Sequence, residues 1–156
     1  MTRLNEIPIK VLNTEDGLTS NVIALLNEIT TLQDAYLSSG DVGQIDLKSL
    51  PLTEAEYETL KTILAEGEVN ATLETLGKTQ VQETQVPGVW WIRHHDINDN
   101  LIAELIEICR IPEILGVEND EIRQGVQALR DQLEEMGNTL NATGEQEEDE
   151  QRRNVS

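Results

Sequence analysis

The sequence predicts an α+β fold: a four-stranded antiparallel sheet packed by two N-terminal helices, then a C-terminal amphipathic helix and a disordered acidic tail. Three patterns indicate this fold. Apolar residues recur at helical spacing before residue 65, β-branched and aromatic runs alternate with turn signals over residues 68–109, and a second helical pattern follows Pro112. A chain of 156 residues has room for one compact domain with tails. The predicted regions are an arm (1–19), an α+β domain (20–116), a helix (117–142) and a tail (143–156).

Two helices precede the predicted sheet. An apolar stripe over residues 20–37 predicts the first helix, which ends at Gly40 because glycine adopts the left-handed conformation at little cost. The second helix begins after Thr53, since Thr53 and Glu56 have the spacing of a reciprocal N-terminal cap. Gly67 is predicted to end it.

Four strands follow the second helix. Their predicted ranges are 68–73, 79–85, 89–95 and 101–109. Short turn signals separate them, so consecutive strands are expected to form antiparallel hairpins. These signals are Gly77-Lys78, Pro87-Gly88 and the polar loop of residues 96–100.

The C-terminal helix carries a regular apolar seam. Its residues are spaced 4, 3, 4, 3, 4, which is a heptad pattern: Ile122, Val126, Leu129, Leu133, Met136 and Leu140. Two interpretations remain open: the helix packs on its own domain, or it forms a homodimer through Ile122, Val126, Leu129, Leu133 and Met136. The acidic tail from residue 143 has too few apolar groups to offset the entropy of ordering and is predicted to be disordered.

The charge of the chain excludes two classes of partner. Thirty acidic and eleven basic side chains give a net charge of −19, which repels nucleic acid backbones and anionic lipids. No apolar run is long enough to span a bilayer, and the first ten residues lack the pattern of a secretory leader. The expected protein is cytoplasmic and binds neither nucleic acid nor membrane.

Neither histidine nor cysteine patterns predict a metal or catalytic site. His94 and His95 are adjacent, so on a strand they point to opposite faces and cannot chelate one ion together. One of them could face Glu107 or Cys109 across the last hairpin. Cys109 is the only cysteine and is interpreted as a small apolar residue near the sheet. No phosphate loop or hydrolase motif is present, so no cofactor and no enzymatic activity are predicted.

The adjacent Trp90 and Trp91 dominate a chain with few other aromatic residues. Strand alternation sends their side chains to opposite faces of the sheet, so one is expected to pack under the helices and the other to face outward. An outward tryptophan is a typical anchor of a protein interface. Either helices shield both faces of the sheet, or one face is a docking surface for another protein.

Four blocks of sequence in this order resemble the hydrogenase expression/formation proteins of the HupH/HyaF type. The blocks span residues 22–116 and are Ile45-Asp46-Leu47-Lys48-Ser49-Leu50-Pro51-Leu52, Gly67-Glu68-Val69, Glu83-Thr84 ahead of Gly88-Val89-Trp90, and Ile106-Glu107-Ile108 with Ile111-Pro112-Glu113-Ile114-Leu115. The resemblance implies a role in the maturation of nickel–iron hydrogenases, either on the iron–sulfur small subunit or on the active-site assembly route, without a catalytic reaction.

The predicted function is therefore that of a non-catalytic assembly factor. Its partner is a hydrogenase subunit, with the small subunit favoured, or another maturation protein. The predicted partner-binding residues are Trp90, Trp91, Arg93, His94, Glu83 and Glu107. Two alternatives remain: a carrier of iron or a cluster fragment through Cys109 with a histidine or glutamate, and a structural module that self-associates.

Overall fold

The computed structural model describes residues 19–155, so the predicted arm, apart from Thr19, lies outside the described residues. The described residues fall into two compact units, 19–112 and 113–155. The helices are α1 (Ser20–Ser39), α2 (Glu54–Leu64) and α3 (Asn119–Arg153). The strands are β1 (Gly43–Asp46), β2 (Asn70–Glu74), β3 (Lys78–Glu83), β4 (Val89–His95) and β5 (Leu101–Ile108). The α+β class is confirmed.

The first unit is built on a five-stranded antiparallel sheet with the order β1-β5-β4-β3-β2. The prediction of four strands is wrong because β1 has only four residues and alternates around a single large apolar side chain, Ile45. Such a short pattern is not distinguishable from a loop by period alone. Since β1 lies between α1 and α2 along the chain, the two helices do not both precede the sheet.

The main hydrophobic core lies between one face of the sheet and the two helices. Leucine and isoleucine side chains supply most of it, as the composition required, and Trp91 is its one buried aromatic residue. The buried members are Leu25, Ile29, Ile45, Leu47, Leu60, Leu64, Val89, Trp91, Ile106 and Ile108. This core fixes the position of α2 over β4 and β5.

The helix ends match the sequence prediction in part. The capping box at Thr53 and Glu56 is confirmed, and α1 ends at Gly40 in the left-handed conformation, with φ of 79°. Helix α2 ends at Leu64, and its C-cap is Ala65, two residues before Gly67. Gly67 has a different role: a Cβ atom there would lie 2.5 Å from the carbonyl oxygen of Thr84, so the close approach of the two backbones requires glycine.

The second unit contains α3, which is longer than predicted. It continues through Arg153, whereas disorder was expected from residue 143. Glutamate, glutamine and arginine are strong helix formers, and Arg152 with Arg153 in the last turn complements the helix dipole. No residue of α3 is buried. None of the helices among residues 19–155 has the length and apolar content of a membrane span.

Candidate functional site

The tight β4–β5 connection sets which side chains meet across the sheet. The Asp96 carboxylate accepts hydrogen bonds from the backbone N–H groups of Asn98 (2.8 Å) and Asn100 (2.9 Å). The Asn100 side chain, followed by its backbone N–H, lowers the pKa of Asp96 below its ordinary value. An irregularity between His94 and His95 then shifts the pairing by one residue. This shift places Arg93 directly opposite Glu104.

Glu104 is the centre of a buried polar network on the helix-covered face. Its Oε1 atom accepts hydrogen bonds from the Tyr57 hydroxyl (2.5 Å), the Trp91 Nε1–H (2.7 Å) and the Arg93 Nε–H (3.1 Å). The residue is only 4% exposed. Three donors therefore satisfy a carboxylate that would otherwise be costly to bury.

The same network holds Arg93 in a fixed position. Its guanidinium carbon lies 5.6 Å from the centre of the Trp91 ring, and Tyr57 packs edge-on against Trp91 with 5.6 Å between ring centres. The Lys61 ammonium lies 5.6 Å from the Tyr57 ring centre. Burial, with the neighbouring Glu104 as a second cause, raises the pKa of Tyr57 to about 12, so the phenol remains a donor. The Arg93 side chain stays 31% exposed, which makes it a pre-positioned cation on a strongly acidic protein.

The opposite face carries a second row of polar residues around Trp90. Glu83 and Glu107 are the cross-strand neighbours of Trp90 in β3 and β5. The Trp90 Nε1–H donates to the carbonyl oxygen of Cys109 (3.1 Å), and the Gln44 side-chain amide donates to Glu107 (2.7 Å). These bonds tie β1, β4 and β5 together across that face.

The expectation of an outward tryptophan is wrong. Trp90 and Trp91 are each only 4% exposed, although they lie on opposite faces. Alternation along a strand places successive side chains on opposite faces of the sheet. One of the two side chains is exposed to solvent only where that face is open to water. Here all four residues Val89–Ile92 are buried, so both faces of β4 are covered at this point. Both indole N–H groups have acceptors, as buried tryptophans require.

The six predicted partner-binding residues fall on two faces. Glu83, Trp90 and Glu107 form one cross-strand row, and His94 lies further along that face, bonded through Nδ1 to the Thr79 hydroxyl (2.8 Å). Arg93 and Trp91 lie on the helix-covered face with Glu104. The structure therefore brings together four of the residues on one side and two on the other.

The expected contact of a histidine with Glu107 or Cys109 does not form. His94 pairs with Ala103 and His95 with Leu101, near the loop end of the hairpin. Cys109 follows the far end of β5. A hairpin keeps residues near its turn opposite one another, so these groups are separated by most of the strand length.

Cys109 is a buried thiol with a raised pKa. It is 3% exposed, and its Sγ donates to Glu107 Oε1 at 3.4 Å. Burial and then the Glu107 carboxylate raise the pKa of Cys109 to about 12. Within residues 19–155 no group of three or more histidine, cysteine, aspartate or glutamate side chains is arranged to hold a metal ion. The iron-carrier alternative therefore has no ligand set in this part of the chain.

Sequence reasoning missed Glu104 and Tyr57 as members of the site. Glu104 is one of thirty acidic residues, and nothing in its neighbourhood distinguishes it. Counting outward from the turn without the irregularity would pair Arg93 with Ala103, so the sequence offered no route to the ion pair. Tyr57 had only its helical position as a signal.

The chain matches a known family over most of its length. Residues 19–136 match the family described as "HupH hydrogenase expression protein, C-terminal conserved region". This match confirms the resemblance in the central blocks and continues beyond residue 116 into α3, as far as Met136.

Individual relatives agree with this match. The chain is similar to the hydrogenase expression/formation protein HupH of Rhodobacter capsulatus, at 29% identity over 119 residues, covering 76% of this chain and 42% of that protein. It is similar to HupH of Rhizobium leguminosarum bv. viciae, at 25% identity over 111 residues, covering 71% and 39%. The chain thus spans less than half the length of these relatives.

A solved structure shares the fold. The hydrogenase expression protein HupH from Thiobacillus denitrificans superposes with a TM-score of 0.70 at 33% sequence identity, and the alignment covers 74% of this chain and 96% of that one. Sequence and fold therefore agree, and the chain belongs to the HupH family of hydrogenase expression/formation proteins through its C-terminal conserved region.

Proposed function

We propose that this chain is a non-catalytic assembly factor in hydrogenase maturation. Its α+β domain binds a hydrogenase subunit, with the small subunit favoured, or another maturation protein. The support is the family itself, since the relatives are named hydrogenase expression/formation proteins. Because the chain spans less than half of those relatives, its share of their role is part of the proposal.

The geometric observation that supports a binding role is the fixed position of Arg93. The Glu104 carboxylate and the Trp91 ring hold the guanidinium, while about a third of the side chain remains in contact with solvent. A pre-positioned arginine loses little rotamer entropy on binding, and arginine is enriched among residues that dominate interfaces. We assign it the role of contacting a carboxylate or carbonyl group of the partner.

The remaining predicted residues have supporting roles in this proposal. Trp91 forms the aromatic base beneath Arg93, and Trp90 lies between Glu83, which is partly exposed, and Glu107, which is buried and bonded to Gln44. His94 is partly exposed on the same face as Trp90 and supplies a second contact. In this arrangement the indoles act through the polar side chains they position, because they are themselves buried.

The experiment compares the affinity of purified variants for a tagged precursor of the hydrogenase small subunit. Arg93→Gln is expected to weaken binding about tenfold or more, equivalent to at least about 1.4 kcal/mol. Arg152→Gln is the matched control, because it removes the same charge from an exposed position at the end of α3. Its affinity is expected to equal that of the wild type.

Two results would contradict the proposal. One is a folded wild-type protein that binds neither hydrogenase subunit nor any other maturation protein. The other is an Arg93→Gln variant with wild-type affinity and a wild-type circular dichroism spectrum. Variants His94→Ala and Glu83→Gln, measured in the same assay, then determine whether the second face contributes.

A further inference from the structure

Helix α3 has a regular apolar seam along one face, and no residue of the helix is buried. The six seam residues Ile122, Val126, Leu129, Leu133, Met136 and Leu140 are between 44% and 74% exposed. The helix also contains Gly125 and Gly137, each of which costs about 1 kcal/mol relative to alanine in a helix interior. Most helical stability in proteins comes from packing of an amphipathic face, so this seam requires a partner surface.

The acidic side chains of α3 near the seam lie away from the positions that flank it. In a heptad numbering with Val126 at position a and Leu129 at position d, the flanking e and g positions from residue 122 to residue 140 contain no acidic side chain. Those flanking residues are Arg123, Gly125, Arg130, Gln132, Gly137 and Thr139. The acidic residues of the same stretch, Asp131, Glu134 and Glu135, occupy outer positions. Between residues 122 and 140 this face can therefore meet a second copy without carboxylate repulsion, whereas further along α3 the a and d positions are Glu147 and Glu150.

We propose that residues 122–140 of α3 pair in parallel, and in register, with the same segment of a second copy as a two-stranded coiled coil. This inference does not depend on the proposed role in hydrogenase maturation. A β-branched residue at a with leucine at d favours two parallel strands, and the heptad of Val126 and Leu129 has this pattern, while Leu133 and Leu140 occupy the next two a positions. The family match extends through Met136 and so includes five of the six seam positions.

One residue at the start of α3 favours the parallel orientation. Asn119 lies at the a position one heptad before Val126, where asparagine pairs with its own copy and fixes the register.

Sedimentation equilibrium of the full chain, from micromolar to a few hundred micromolar, tests the association. The wild type is expected to form dimers in a concentration-dependent manner. Leu129→Asp is expected to be monomeric throughout, because it places a charge at the centre of the apolar seam. Gln124→Asp is the matched control, since it adds the same charge at an outer position, and it is expected to dimerise like the wild type.

A cysteine variant tests the orientation. Leu129→Cys in a Cys109→Ser background has a single thiol, and mild oxidation with diamide is expected to link two copies through residue 129. In an antiparallel pair centred on the same seam, residue 129 would face residue 133 of the other copy, and no link would form. A monomeric wild type, a dimer unaffected by Leu129→Asp, or a dimer without the 129–129 link would each overturn the proposal.

Discussion

The strongest energetic prediction concerns Glu104, the acceptor shared by three donors. Replacing it with leucine introduces an apolar side chain of similar size and leaves those donors without their acceptor. The Trp91 Nε1–H is fully buried, the Tyr57 hydroxyl is partly buried and the Arg93 guanidinium is partly exposed. The cost of the substitution therefore depends mainly on which of the three donors can reach water.

The magnitude follows from the burial of each donor. An unsatisfied buried N–H costs about 1–3 kcal/mol, which applies to Trp91 in full. The Tyr57 hydroxyl contributes about 1 kcal/mol, and Arg93 contributes less because solvent screens and rehydrates it. The expected loss for Glu104→Leu is therefore about 3 kcal/mol in the free energy of unfolding, at the lower end for a broken buried ion pair. Glu104→Gln keeps an acceptor and is expected to lose about 1 kcal/mol.

Urea unfolding followed by tryptophan fluorescence measures this loss, because both tryptophans lie in β4 of the first unit and report on its unfolding. Glu58→Gln is the matched control. Glu58 forms an ion pair with Lys61 at 3.4 Å on the exposed side of α2, and such surface pairs contribute about 0.5 kcal/mol or less. If Glu104→Leu unfolds at the same urea concentration as Glu58→Gln, the network does not stabilise the fold as argued.

Two further predictions follow from shifted pKa values. The Thr19 hydroxyl, followed by the Thr53 backbone N–H, lowers the pKa of Glu56 below its ordinary value of 4.5. The ionised Glu56 carboxylate therefore stabilises the fold fully above pH 4.5, and this contribution is lost as the pH falls through the folded-state pKa. Glu56→Gln should flatten the acid limb of a stability-against-pH curve, and an unchanged limb would contradict it. At about pH 8 the Cys109 thiol of the native protein should react with iodoacetamide on the order of 10³-fold more slowly than the same thiol in the urea-unfolded chain. The reason is that a pKa of about 12 leaves little thiolate in the native protein, and equal rates would refute the burial of Cys109.

The elements with long, repeated patterns were predictable from sequence. Helix α1 begins at Ser20 as expected, α2 has the predicted capping box, and β4 has the predicted limits, Val89 and His95. In each case the local signal and the tertiary packing agree. The α+β class follows because these elements dominate the first unit.

The other features of the fold and the site could not be predicted, because they depend on contacts between residues that are far apart in the sequence. Strand β1 is too short to show a period, and its pairing with β5 and the burial of Ile45 in the core stabilise it. The Arg93–Glu104 pair depends on a one-residue shift near His94 that no composition signal marks. The burial of Trp90 depends on what covers the second face, which alternation within β4 alone does not reveal.

The proposed function requires that this chain acts in hydrogenase maturation through a surface organised by Arg93. Hydrogenase activity in cells that lack the chain, complemented with wild type or Arg93→Gln at equal protein levels, tests it most directly. We expect the deletion to abolish activity, the wild type to restore it and Arg93→Gln to restore little. Full activity without the chain, or full restoration by Arg93→Gln, would contradict it.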